Sequence, residues 1–410
     1  MRIKDVKAIE ILDSRGNPTV RSFVTLDDGT IASSSVPSGA STGSHEAVEL
    51  RDGDTKRFYG KGVLKAINHV NETIKKSVLD EEADPKTIDE KMIGIDGTVN
   101  KSRLGANAIL SISQALIRAL AFSKKIPLWQ FINKYYFQDR AAPPKIMFNV
   151  VNGGRHADWN LDIQEFMIVP SYQLASESIK CASEIYHNIK KVLKGKKLSI
   201  LVGDEGGFSP NLNNNEEVFQ LIIEAAKQAG YENGKDYRLA IDAAASEFYQ
   251  GGKYLFKKED RSLTGKELID YYEILKKKYK VFSFEDPFAE SDWTNFKKFT
   301  AVDPNFVVIG DDIYTTDPKL IKKGVKEKTT NAVLIKPNQI GTILETVEAI
   351  MTARSAGWRI AISHRSGETE DPFIADLAYA SSADFLKTGA PCRSDRTSKY
   401  NRLIEIENGL

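Results

Sequence analysis

Several features are scarce in this chain, and each absence narrows the possible functions. The 410 residues include only two cysteines, Cys181 and Cys392. Two cysteines cannot form the disulfide framework of a small secreted protein, so we expect a reducing compartment. The formal net charge is only +1. This balance gives no reason to expect a nucleic acid or a membrane surface as the main partner.

Long apolar runs are also missing. Residues 1–12 alternate charged and apolar side chains and lack the continuous apolar core of a signal peptide. No uninterrupted apolar stretch reaches the ~18 residues that a membrane-spanning helix needs. We therefore expect a soluble, cytoplasmic protein. Its length favours a large domain plus one further domain over a single small core.

The first third of the chain predicts an α+β unit. Alternating apolar runs flank two turn-rich segments, and stretches with helical spacing follow them. The predicted strands are 6–12, 19–26 and 31–36, and the predicted helices are 62–79, 85–93 and 105–124. Strands followed by separate helices indicate an α+β capping domain over 1–126. A connector over 127–144 follows and ends in Ala141-Ala142-Pro143-Pro144.

From residue 145 onward, short apolar runs alternate with helical stretches. The candidate strands are 146–150, 166–169, 199–202, 239–241, 281–284, 307–309, 333–335, 360–362 and 385–386. The candidate helices are 175–194, 215–230, 265–279, 342–356, 372–383 and 395–407. This alternation over 145–410 favours a TIM-type (β/α)8 barrel, with an open doubly wound sheet as the main alternative. The strand candidates exceed by one the eight that a barrel requires.

Charged residues directly follow four of these runs. Asp242, Glu285 and Asp311 each stand at a predicted strand end, and Lys336 stands at another. A barrel of parallel strands gathers these ends around one mouth. We expect no cation beside the three carboxylates, so they would repel one another at close range. Oxygen ligands without Cys or His favour a hard cation, Mg²⁺ before Zn²⁺.

Lys336 has two possible roles. A lysine at the end of an apolar strand loses solvation, and nearby metal charge would lower its pKa further, so that it could serve as a base. The alternative is a lysine that extends out of the barrel. Pro337 directly follows it and ends the strand there, which favours the first role.

Further polar motifs fall in predicted loops. Glu205 lies in the acidic, glycine-flanked segment 203–207, where it could act as a general acid or base or simply cap a helix. The turn at 363–367 offers a phosphate cradle, or an ordinary capped turn. The flexible segment 38–43 suits a lid but is also a common loop composition. The candidate residues in and around these motifs are His156, Glu165, Ser363, His364, Arg365, Ser366, Lys387 and, in the lid, Ser41.

These motifs together resemble the enolase family along almost the entire chain. The matching segments are 13–20, 38–43, 105–108, 203–207, 283–288, 336–341, 363–371 and 387–389. The resemblance implies an α+β cap on a modified barrel that begins with an irregular ββαα unit, which would explain the ninth strand candidate. It also implies a lyase of glycolysis and gluconeogenesis that reversibly dehydrates 2-phosphoglycerate to phosphoenolpyruvate, using two Mg²⁺ ions.

The resemblance also implies roles for single residues. Asp242, Glu285 and Asp311 would bind the first Mg²⁺, and Ser41 the second. Lys336 would remove the C2 proton, while Glu205, with Glu165 and His156 nearby, would assist departure of the C3 hydroxyl. The substrate would contact His156, Glu165, Glu285, Asp311, Ser363, His364, Arg365, Ser366 and Lys387. A homodimer or higher homo-oligomer is implied as well.

Two other functions are weighed against this one. A relative acting on a non-phosphorylated acid would keep the three metal-binding carboxylates but would not need the lid or Arg365. An RNA-associated or scaffold role would predict damaged catalytic positions or a basic face, and the sequence indicates neither.

Overall fold

The N-terminal sheet is a three-stranded antiparallel meander. The structure is a computed structural model that describes residues 1–39 and 43–410. The strands are Ile3–Leu12, Pro18–Leu26 and Ile31–Ser35, paired in sequence order. The first turn is tied by the Asp13 side chain, which accepts hydrogen bonds from the backbone N–H groups of Arg15 and Asn17, each at 2.9 Å. The three predicted strands are confirmed.

Helices cover one face of this sheet. They are Leu64–Asn68, continued by a π-helical segment His69–Ile74 and by Lys75–Val78, then Pro85–Asp96 and Ala106–Ser123, with a 3₁₀ turn at Phe58–Gly60. Helix Ala106–Ser123 packs against the second and third strands. By length and composition it could cross a membrane, but 83% of it is buried inside the protein, as in a core helix.

Residues 127–144 contain more structure than the predicted connector. Helix Leu128–Ile132 continues into a π-helical segment, Asn133–Phe137. Trp129 stacks edge-on against Tyr379 with ring centroids 5.0 Å apart, which fastens this segment to the helix Phe373–Ala380. Within this segment, residue 127 and residues 138–144 lack helix or strand. The division into 1–126, 127–144 and 145–410 remains a prediction.

The remaining chain forms a closed eight-stranded barrel. In chain order its strands, numbered first to eighth below, are Lys145–Asn152, Glu165–Pro170, Tyr237–Asp242, Val281–Glu285, Val307–Gly310, Ala332–Ile335, Arg359–Ser363 and Phe385–Lys387. The second strand runs antiparallel to both neighbours, and all other pairs are parallel. The predicted barrel is therefore confirmed, with the ββαα start that the resemblance implied.

One predicted strand is wrong. Residues 199–202 contribute no strand, only a single bridge between Val202 and Phe208. Leu201 is 74% exposed and Val202 is 39% exposed, so this apolar run lies on the surface. The run lacks the burial that stabilises a barrel strand, and it leads instead into the loop at 203–207.

Helices surround the barrel. They are Ala175–Gly195, Asn215–Gln228, Gly265–Tyr279, Trp293–Val302, Pro318–Glu327, Pro337–Ile340, Ile343–Ser355, Phe373–Ala380 and Ser394–Glu407. The six predicted helices are present, whereas Trp293–Val302, Pro318–Glu327 and the short Pro337–Ile340 were not predicted. Smaller elements are the 3₁₀ turns Gly154–Ala157 and Ala245–Phe248 and a sheet of Tyr249–Gln250, Lys253–Phe256 and Arg261–Leu263.

Apolar side chains fill the barrel interior. The inner cluster comprises Met147, Met167, Val169, Ala240, Val307, Ile309, Ala332, Leu334, Ala361 and Phe385, all at most 4% exposed. The barrel is thus a packed core rather than a channel. Polar chemistry is confined to its two ends.

Buried polar contacts join the N-terminal unit to the barrel. Arg118 pairs with Asp371 at 2.6 Å, and both side chains are largely buried. Asp89 accepts hydrogen bonds from Ser113 Oγ at 2.8 Å and from the backbone N–H of Leu344 at 3.0 Å. These contacts hold the cap at the mouth where the strand-end residues converge.

Candidate active site

The predicted strand-end residues converge at one mouth of the barrel. Asp242, Glu285, Ser363 and Lys387 end the third, fourth, seventh and eighth strands, while Asp311 and Lys336 directly follow the fifth and sixth. Glu165 instead begins the second strand. Because that strand is antiparallel, its first residue lies at the mouth, in register with Asp242.

Lys387 lies at the centre of this mouth. Its ammonium is 3.0 Å from Glu165, 3.0 Å from Asp242 and 2.8 Å from Glu285. All four side chains are at most 6% exposed. The expectation that no cation adjoins the carboxylates is therefore wrong, because neighbours on parallel strands are far apart in sequence. Glu285 is fully buried beneath Lys387.

The predicted metal triad is only partly assembled. Asp242 and Glu285 share Lys387, whereas Asp311 forms an ion pair with Lys336. Among residues 1–39 and 43–410, the sets of three acidic or imidazole groups close enough to share an ion are His156–Glu165–Glu205 and Asp286–Asp311–Asp312. The described side chains thus place Asp311 beside two acids that the sequence did not single out.

The pKa of Lys336 is shifted in the direction opposite to the one predicted from the sequence. Burial alone would lower its pKa, but the Asp311, Asp312 and Glu285 carboxylates together outweigh burial, and the pKa of Lys336 is raised. Gln339 also donates to Asp311, with Nε2 3.0 Å from Oδ1. The lysine is therefore a paired ammonium in this structure. It can accept a proton only when the negative charge of Asp311 is compensated by another cation.

Across the mouth lies a buried cluster of two glutamates and two histidines. His156 Nδ1 is 3.5 Å from Glu165 and 3.6 Å from Glu205, and His364 Nε2 is 3.4 Å from Glu205. Asn149 donates to Glu205 Oε2 at 2.9 Å. The arrangement brings together four residues that are distant in sequence, as a proton-transfer site requires.

The two glutamates of this cluster differ in pKa. Burial and the nearby Glu205 carboxylate raise the pKa of Glu165 well above its usual value. Burial also opposes ionisation of Glu205, but its contacts with His364 and His156, together with the nearby Arg396 guanidinium, outweigh burial and hold its pKa well below the usual value. A proton shared by the pair therefore resides on Glu165. Such separation of two carboxyl pKa values is typical of acid–base sites.

Arg396 sets the state of His364. The guanidinium is fully buried and faces His364 Nδ1, and it also donates to the backbone carbonyl oxygens of Arg365 and Ser366. Burial lowers the pKa of His364 to about 3, so its imidazole is neutral at neutral pH. With Nδ1 accepting from Arg396, the ring proton is on Nε2 and points to Glu205.

The turn at 363–367 contacts both the barrel mouth and the lid region. Arg365 is bidentate with Glu46, at 2.9 and 3.1 Å. Arg15 donates to Ser366 Oγ at 3.3 Å. Ser38 and Gly367 exchange backbone hydrogen bonds, which ties the start of the lid to the turn. Ser41 lies outside the described residues.

Sequence reasoning overlooked several residues at the site. Asp286 accepts the backbone N–H groups of Asp311 and Asp312 at 2.9 and 2.8 Å and so orients the end of the fifth strand. Asp286 directly follows Glu285, and Asp312 directly follows Asp311. Two consecutive acids at a strand end could therefore have indicated both residues from the sequence. Glu46 and Arg396 follow no apolar strand, and the strand-end pattern could not have found them.

Acidic side chains outnumber cationic ones in the pocket. It is lined by the acids Glu165, Glu205, Asp242, Asp286, Asp311 and Asp312 and by the cations Lys336, Arg365 and Lys387. Burial and mutual repulsion raise the pKa values of Glu285, Asp286 and Asp312 well above normal. Oxygen donors in such excess over cations suit a hard divalent ion. The donor set therefore fits Mg²⁺.

Comparisons with known proteins agree with this geometry. Residues 3–132 match the family model described as "Enolase, N-terminal domain", and residues 141–410 match "Enolase, C-terminal TIM barrel domain". A relative named "Enolase" from Elusimicrobium minutum (strain Pei191) is 49% identical over 413 residues, covering 100% of this chain and 96% of the relative. The order and extent of these matches confirm the resemblance found in the motifs, and the chain belongs to the enolase family of enzymes.

Proposed function

We propose that this enzyme reversibly dehydrates 2-phosphoglycerate to phosphoenolpyruvate, the glycolytic and gluconeogenic step that the family name implies. The observation that carries the proposal is the placement of Lys336 and Glu165 at the sixth and second strands. In the closed order of eight strands, these positions are four strands apart in either direction. A base and an acid–base pair therefore face each other across the mouth, where a substrate can lose a proton on one side and hydroxyl on the other.

Each half of the reaction uses its own group. Lys336 removes the C2 proton as a neutral amine, after compensation of the Asp311 charge has lowered its pKa and its ammonium has released a proton to solvent. On the other side, the Glu165–Glu205 pair delivers a proton to the departing C3 hydroxyl. His156 and His364 hold the pair through the contacts described above.

The carboxylates and the lid serine form the proposed metal sites. Asp242, Glu285 and Asp311 would hold one Mg²⁺, and Ser41 would contribute to a second. Bound there, Mg²⁺ would supply fixed positive charge beside the substrate carboxylate as negative charge develops after proton removal. The excess of buried acids over cations supports this assignment.

The remaining polar groups would hold the substrate. Arg365 and Ser366 lie on one turn and offer a guanidinium and a hydroxyl to a phosphate, as charge-assisted recognition requires. Lys387 would meet the substrate carboxylate. Ser363 and His364 shape the wall between them, and both are at most 2% exposed. A non-phosphorylated acid would leave Arg365 without this role.

Proton exchange tests the two catalytic roles separately. Lys336→Ala should stop exchange of the C2 proton of 2-phosphoglycerate with solvent. Glu205→Gln should impair phosphoenolpyruvate formation yet retain C2 exchange, because the base is intact. Lys190→Ala, at an exposed lysine, is the control and should behave as wild type. Exchange that survives in Lys336→Ala and vanishes in Glu205→Gln would reverse the assignment.

Metal removal tests the cofactor. Turnover should stop in chelated enzyme and return with Mg²⁺, whereas full activity after thorough chelation would exclude the metal sites.

We further propose a cytoplasmic homodimer or higher homo-oligomer, with no membrane association and no nucleic acid as the main partner. The near-neutral charge supports the last two points. Sedimentation at micromolar concentration tests the assembly. A single species near 45.7 kDa would contradict it.

A further inference from the structure

A second cleft opens at the end of the barrel opposite the active site. Its volume is about 720 Å³, within the range typical of small-molecule sites. It is bounded by the first or second residues of barrel strands, namely Lys145, Arg238, Phe282, Arg359 and Phe385. Because these parallel strands all start at one end, this basal cleft is separated from the catalytic mouth by the packed barrel core.

The walls of the basal cleft are positively charged. They carry Lys145, Arg238, Lys276, Lys277, Lys280 and Arg359, against the two acids Asp303 and Asp384. Lys276 is paired with Asp303 at 2.9 Å, and Asp384 accepts the backbone N–H of Ile360 at 2.9 Å. Within the part of the chain that the structure describes, the other five cations have no carboxylate at ion-pair distance. A chain of net charge +1 thus concentrates unpaired cations here.

The helix dipole accounts for the position of only some of these cations. Lys277 and Lys280 lie at the C-terminal end of helix Gly265–Tyr279, where cations are favoured by the helix dipole. Lys145, Arg238 and Arg359 lie at the starts of strands, within the first two residues, and have no such benefit. A bound anion would relieve their mutual repulsion around one cleft.

The floor of the basal cleft is aromatic. Phe282 is partly exposed and stands edge-on to Phe385, with ring centroids 5.5 Å apart. The Arg238 guanidinium lies over the Phe282 ring at 5.5 Å. A partly exposed aromatic ring beside several cations can stack a planar ring while the cations contact phosphate groups.

We propose that the basal cleft binds a polyphosphate group, carried by a nucleoside triphosphate or present as free inorganic polyphosphate. The ligand chemistry follows from several unpaired cations around one cleft of small-molecule size. Stacking on Phe282 distinguishes the two sources, because only the nucleotide has a ring to place there.

Binding to inorganic tripolyphosphate, ATP and adenosine tests the proposal, measured by isothermal titration calorimetry in chelated buffer so that the acidic mouth holds no metal. Tripolyphosphate and ATP should bind saturably and adenosine much more weakly. The double variant Arg238→Glu, Lys280→Glu changes exposed residues. It should weaken the binding of tripolyphosphate and of ATP by about tenfold or more, because charge-assisted contacts are lost. Its turnover should match wild type.

A matched control separates a site from general charge. Lys190→Glu with Lys194→Glu makes the same change in net charge on the helix Ala175–Gly195, outside the cleft, and should leave binding unchanged. Equal weakening in both double variants, or no saturable binding up to millimolar ligand, would overturn the proposal.

Two further arms identify the ligand class. If ATP binds more tightly than tripolyphosphate and Phe282→Ala removes the difference, the cleft takes nucleotides. Equal affinities for ATP and tripolyphosphate would indicate that the cleft binds free inorganic polyphosphate. A single-stranded RNA oligonucleotide that binds more tightly than ATP, and loses this affinity in the Arg238→Glu, Lys280→Glu variant, would overturn the small-ligand class.

Discussion

Lys387→Met offers a direct test of the charge balance at the catalytic mouth. In the folded protein the Lys387 ammonium is at most 3.0 Å from three carboxylates, those of Glu165, Asp242 and Glu285. Removing one partner of a buried ion pair leaves uncompensated charge and costs about 3–5 kcal/mol. We expect a loss of this size in the free energy of unfolding in chelated buffer. Protonation of a carboxylate limits the loss, so it should shrink as the pH falls.

Mg²⁺ should reverse much of this loss. A ligand that binds only the folded state stabilises it by about 2.7 kcal/mol at a hundredfold excess over its Kd. In Lys387→Met no ammonium competes for Asp242 and Glu285, so Mg²⁺ should stabilise the variant more than it stabilises wild type. Urea unfolding followed by circular dichroism, with chelator and with Mg²⁺, measures both effects.

Lys399→Met is the matched control. Lys399 is also fully buried and pairs with Glu368 at 3.0 Å, outside the pocket lining. The Lys399→Met variant should lose a similar amount of stability, but Mg²⁺ should stabilise this variant no more than it stabilises wild type. If Lys387→Met is as stable as wild type in chelator, or if Mg²⁺ acts equally on both variants, the reasoning fails.

Three further predictions concern buried charge elsewhere. Burial raises the pKa of Asp89 to about 7, so from about pH 4 to about pH 7 only the folded state holds this proton and stability falls as the pH rises. The urea midpoint of Asp89→Asn relative to wild type should therefore increase between about pH 5 and about pH 8, and a constant difference would contradict this. Arg118→Leu should lower the free energy of unfolding by about 3–5 kcal/mol, and adding Asp371→Leu should recover part of it; no recovery in the double variant would argue against the buried pair. Arg396→Lys removes the N–H that faces His364 Nδ1 and should lower kcat about tenfold with an altered pH profile, whereas an unchanged profile would leave Arg396 a purely structural residue.

Local patterns were sufficient for most secondary structure. Helix Gly265–Tyr279 begins at Thr264, whose side chain forms a capping box with Glu267, and such signals are readable from the chain alone. Helix Pro318–Glu327 carries an equally clear signal, an Asp317 cap followed by proline, and was overlooked. At residues 199–202 a local pattern predicted a strand that is absent. An apolar run does not reveal whether its side chains are buried.

The identity of the residues at several barrel-strand ends also followed from sequence. Each parallel strand ends at the mouth, so the amino-acid pattern alone is enough to group Asp242, Glu285, Asp311 and Lys336. The antiparallel second strand breaks this rule, since Glu165 reaches the mouth from the start of its strand. Strand direction depends on pairing with neighbours, which no local pattern encodes.

The sequence by itself thus determined the strand-end groups Asp242, Glu285, Asp311 and Lys336 at the mouth, because apolar periodicity and strand ends are local properties of the chain. Tertiary structure alone decided which groups touch. It placed Lys387 among three carboxylates, paired Lys336 with Asp311 and raised its pKa, and set Arg396 against His364. Ion pairs and pKa values depend on distances of a few ångströms and on burial. Both arise only when segments that are separated in the chain, by 25 residues for Lys336 and Asp311 and by 145 for Lys387 and Asp242, pack together.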